Sequence, residues 1–70
     1  APRLTEAEED RLWDAQAEVN NLDTQIAAVN ALVAAAGGAT PEHQATLADL
    51  TARRTAEQEV IDRLQAKLNR

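Results

Sequence analysis

The chain has no Cys, Met, Phe or Tyr, and only one Trp, one His, two Gly and two Pro among its 70 residues. Without Cys there are no disulfides and no thiolate metal sites, and a single His cannot build a structural zinc site. The shortage of aromatics removes stacking platforms. Seven basic residues against twelve acidic ones, a net charge of −5, leave no basic footprint for a nucleic-acid backbone. No nucleic-acid partner is expected.

Long apolar runs are missing too. The longest uncharged stretch, residues 24–41, contains Gln25, Asn30 and both Gly, which makes it too short and too polar to span a bilayer. The first ten residues are acidic and contain Pro, where a signal peptide needs a basic start and an apolar core. The expectation is a cytoplasmic chain without a membrane segment. No phosphate-cradling Gly loop and no nucleophile–base constellation occurs, and no set of oxygen ligands converges. Neither enzyme activity nor a cofactor, metal or small-molecule substrate is expected.

What the chain does have is Ala and aliphatics: 16 Ala, 8 Leu, 4 Val and 2 Ile. Arg outnumbers Lys six to one, a usage that with the Ala content suggests a GC-rich bacterial or phage coding sequence. Leu12, Ala15, Val19, Leu22, Ile26, Val29, Val33 and Ala36 follow one another at alternating steps of three and four, the heptad seam of a coiled-coil helix. After Gly37-Gly38 and Thr40-Pro41 a second seam begins at His43 and continues through Leu47, Leu50, Arg54, Glu57, Ile61, Leu64 and Leu68. The fold class predicted is all-α: an antiparallel two-helix coiled-coil hairpin, with helix 1 over about 6–36, a turn over 37–40 and helix 2 over about 41–69, in a single domain spanning 1–70.

Register and punctuation agree with that reading. In an antiparallel pair, facing residue numbers add to a constant. One constant gives Val33/His43, Val29/Leu47, Ile26/Leu50, Leu22/Arg54, Val19/Glu57, Ala15/Ile61, Leu12/Leu64 and Glu8/Leu68, with its midpoint at Gly38. Thr5 with Glu8 forms a capping-box pattern, and Thr40 followed by Pro41 is a second helix start. Glu6, Glu8, Glu9 and Asp10 favour the positive end of helix 1, and Arg63, Lys67 and Arg70 the negative end of helix 2. Residues 1–36 hold seven acids against two bases, while 41–70 hold five of each, so the hairpin sets an acidic helix end beside a basic one.

Folding the hairpin leaves apolar surface unused. Ala27, Ala28, Ala31, Leu32, Ala34 and Ala35 lie off the seam of helix 1, and Ala45, Ala48, Ala52 and Ala56 form a small-residue stripe on helix 2. Below about 70–80 residues one chain seldom buries enough to be stable alone. Dimerisation into a four-helix bundle is the simplest remedy, with another helical protein as the substitute partner. Such a dimer is similar to the helical hairpins of the Rop family of plasmid copy-control RNA-binding proteins, in fold alone; the acidic surface argues against the RNA-binding role.

Three features are candidates for function. Arg54 and Glu57 form a polar seam layer able to pair with each other or with Asn20, Asn21 and Asp23, the kind of interruption that fixes register and oligomeric state. Glu6, Asp10, Asp14 and Glu18 make an acidic stripe, read first as a solvated face. Trp13, Leu32 and the Ala stripe of helix 2 are candidate partner contacts, because Trp is enriched among interface hot spots. His43 is assigned to the tip layer. The function expected is a non-enzymatic oligomerisation or protein-docking module, a small accessory or assembly protein. The alternatives are an acidic decoy that occupies a basic site on a partner, and a hairpin whose apolar tip touches a membrane.

Overall fold

The computed structural model describes Arg3 to Asn69. It consists of two helices, α1 (Glu6–Ala36) and α2 (Pro41–Leu68), folded back on each other as an all-α hairpin. The molecule is a rod of 53 × 16 × 14 Å. Arg70, expected at the basic end of α2, lies outside the described residues, and Asn69 is the C-cap of α2 and not its last helical residue.

Local chemistry explains where each helix begins and ends. Thr5 is extended; its hydroxyl accepts from the Glu8 N–H at 3.1 Å, while the Thr5 N–H donates to Glu8 Oε1 at 2.9 Å. Two otherwise orphaned amides are thereby satisfied. Thr40 does the same for α2, accepting from the His43 N–H at 3.2 Å, and His43 Nδ1 replaces the usual Glu or Gln as the return acceptor at 3.4 Å. Between the helices Gly37 takes the left-handed conformation, φ 78°. Its N–H donates to Ala34 O at 3.2 Å and that of Gly38 to Val33 O at 3.1 Å, a Schellman stop.

The core is a narrow line along the interface. Leu4, Ala15, Val19, Leu22, Leu50 and Ile61 are buried, and among the described residues Leu22 is the one large side chain with no exposure. Ala15, Val19 and Ile61 form its central cluster, with Leu12 and Val60 packed against it. Leu12, Ile26, Val29, Val33, His43, Leu47, Arg54, Glu57 and Leu64 are half-buried around that line. Ala36 and Leu68, the last seam residues of their helices, are exposed, because neither has a full turn of the opposite helix beyond it. Ala15 packs on Ile61, and Glu8 and Asp23 reach Lys67 and Arg54, so the hairpin holds the register that folds about Gly38.

Candidate functional site

The polar seam residues come out differently from a mutual pair. Arg54 and Glu57 turn to opposite flanks of the hairpin, since Asp23 and Arg11 flank the α1 seam on its two sides. Arg54 Nε donates to Asp23 Oδ1 and its Nη2 to Oδ2 at 3.4 Å, a two-pronged contact that suits a guanidinium and a carboxylate. Hydrogen bonding to Asp23 raises the Arg54 guanidinium further above its ordinary value, so it is charged at every working pH. Glu57 Oε2 is buried and lies 3.0 Å from Arg11 Nη1, without a hydrogen bond of good alignment. Charge compensates that oxygen where geometry does not. Arg54 is half-buried at its seam position, and its head group reaches Asp23 at the exposed edge, as long basic side chains do.

The same flank as Arg11 carries a looser set. Arg53 lies 3.7 Å from both Glu18 and Asp49. These contacts are exposed and worth a fraction of a kcal/mol at most, about 0–1. At the open end Lys67 Nζ donates to both oxygens of Glu8 at 2.7 Å. Glu8 thus closes the cap of α1 and ties it to the last turn of α2. The Lys67 hydrogen bond, helped by the Thr5 amide, holds the Glu8 carboxyl below its ordinary value of 4.5. Ala7, Glu8, Arg11, Val60, Arg63, Leu64 and Lys67 line an open groove at this end. Two of its three cations, Arg11 and Lys67, are already paired.

The outward faces are uncovered. Trp13 is 72% exposed, Leu32 59% and Leu68 43%. Ala45, Ala48, Ala52 and Ala56 are all exposed on the back of α2. Glu6, Asp10 and Asp14 face solvent, whereas Glu18, the last of the acidic stripe, is half-buried beside Arg53. Among the described residues no three acidic or imidazole groups are placed to hold a metal, and no helix is long and apolar enough to cross a membrane.

Sequence reasoning missed Leu4, Arg11 and the capping role of His43. Leu4 precedes Thr5, outside the helical periodicity, yet it is buried at the hairpin mouth; an apolar residue just before an N-cap was the available signal. Arg11 lies one position before Leu12, on the rim of the seam, where a long side chain reaches across. Comparison of the chain with models of protein families, with curated proteins and with solved structures found no match.

Proposed function

We propose that this hairpin is a non-enzymatic association module, a coiled-coil hairpin that works as a homo-oligomer, the dimer first, and so serves as an assembly or docking element. The observation that carries this reading is the imbalance between a thin core and an uncovered apolar exterior. Six hydrophobic side chains are buried among the described residues, while the chain's one Trp stands 72% exposed. A compact 7.6 kDa monomer would expose about 4,300 Å²; this chain exposes 4932 Å². A second copy supplies cover without any further gene product. The composition fits a small accessory protein of bacterial or phage origin acting in the cytoplasm.

Sedimentation equilibrium over about a hundredfold range of concentration tests the reading, because association is governed by mass action. A mass rising toward twice 7.6 kDa supports it. A helical monomer at every concentration overturns self-association.

A further inference from the structure

The back of α1 carries a second line at the heptad spacing. Trp13, Ala17, Asn20, Thr24, Ala27, Ala31 and Ala34 follow at steps of four and three, and every one is exposed. On a helix this line runs about 140° around from the Leu12–Val33 seam, so the hairpin does not use it. It carries no charge over some 30 Å of helix at 1.5 Å per residue. The flanks of the hairpin differ from this back: they hold the Arg54–Asp23, Arg11–Glu57 and Arg53–Glu18 pairs. A partner seated on a flank would have to desolvate those charges, at a cost that pairing does not reliably return.

We propose that the back of α1 is the dimer interface, and that its occupant is the same face of a second copy running antiparallel. This rests on the association reading above and names its surface. Folded about a twofold axis near residue 22, the line complements itself. Trp13 meets Ala31 of the partner subunit, Ala17 meets Ala27 of the partner subunit, and Asn20 meets Thr24 of the partner subunit. A large ring is set over a small residue at each end, and Ala on Ala in between lets the backbones approach closely. The central Asn/Thr layer is of the kind that fixes register in helical pairs.

Charge selects the direction. Six of the seven acids of α1, Glu6, Glu8, Glu9, Asp10, Asp14 and Glu18, lie in its first half, while residues 24–41 carry none. A parallel pairing sets acid against acid, and like-charge juxtaposition is costly at an interface. The antiparallel pairing sets Asp10 beside Ala34 of the partner subunit and the whole acidic end beside an uncharged one. Asp23, the acid nearest the axis, is already neutralised by Arg54. The four helices then lie side by side, α2–α1–α1–α2, and not around a common core. A contact line of this length with small side chains belongs at the lower end of specific interfaces, so the dimer is expected to dissociate on dilution.

Trp13 is the only aromatic residue and therefore its own reporter. The test follows mass by sedimentation and Trp emission on the same samples, for the natural chain and for Ala27→Glu and Ala31→Glu, with helicity by circular dichroism as the control on folding. Both Ala are exposed in the hairpin, and two variants guard against one that folds poorly. The expected result is a doubled mass with a blue-shifted, quencher-protected Trp13 at high concentration, and a dissociation constant raised at least tenfold, about 1.4 kcal/mol, in either variant. A doubled mass with Trp13 emission unchanged and both variants still dimeric places the interface elsewhere and overturns this proposal while leaving self-association intact. A monomer throughout overturns both.

Discussion

Gly37 and Gly38 are adjacent, and only one of them needs to be glycine. Gly37 sits at φ 78°, where a Cβ is strained whatever the space around it, while Gly38 has an ordinary φ and open space about its Cβ position. Gly37→Ala is expected to cost about 1–2 kcal/mol and Gly38→Ala to be neutral or slightly stabilising, since it restricts the unfolded chain. Thermal melts of the two variants check this; equal melting temperatures would contradict the Schellman stop as the turn determinant. Glu8 provides a second single-residue test. Its folded carboxyl titrates below the ordinary value of 4.5 because Lys67 and Thr5 hydrogen-bond to it. Its contribution is therefore fully present above about that value and is lost as pH falls through the lower folded value. Melting curves of the natural chain and Glu8→Gln should differ at neutral pH and converge in acid. A difference that persists at the acid end would show that the carboxylate is not the source.

Each helix is held by one stripe, and α1 depends most on Leu22, whose side chain is fully buried. Leu22→Ala should cost about 2–5 kcal/mol, enough to unfold a chain this small; a melting temperature within a few degrees of the natural chain would mean the seam does not carry the fold. The polar interruption of α2 predicts the reverse. Arg54→Leu together with Glu57→Leu should raise the melting temperature, because two Leu at half-buried seam positions add apolar burial while the partners left behind, Asp23 and Arg11, are exposed and return to water. A lowered melting temperature would assign the two ion pairs a stabilising role. The stripes were legible in the sequence because heptad spacing fixes which side chains share a face, and the stops because Thr5, Thr40, Pro41 and Gly37 act locally. Asp23 was among the partners open to Arg54, but Arg11 for Glu57 was not legible, since long side chains select partners across the gap between helices and not along one of them. Leu4 escaped for a different reason: it is buried from outside the helix, where periodicity carries no information.

As a whole the molecule is a rod of 53 × 16 × 14 Å whose cross-helix ion pairs lie on its flanks and whose Ala-rich backs are uncovered. A single seam between two helices, with Arg and Glu in its middle layers, is a small store of stability for 70 residues. Association then raises stability as well as changing mass, since whatever binds the folded chain and not the unfolded one shifts the folding equilibrium. The most direct check is the melting temperature followed by circular dichroism as protein concentration is raised. Self-association predicts a melting temperature that climbs with concentration, and one that loses this climb in Ala27→Glu. A melting temperature independent of concentration, with full helicity at the lowest concentration, would show a hairpin that is complete by itself and would contradict the reading of its bare faces as an interface between copies.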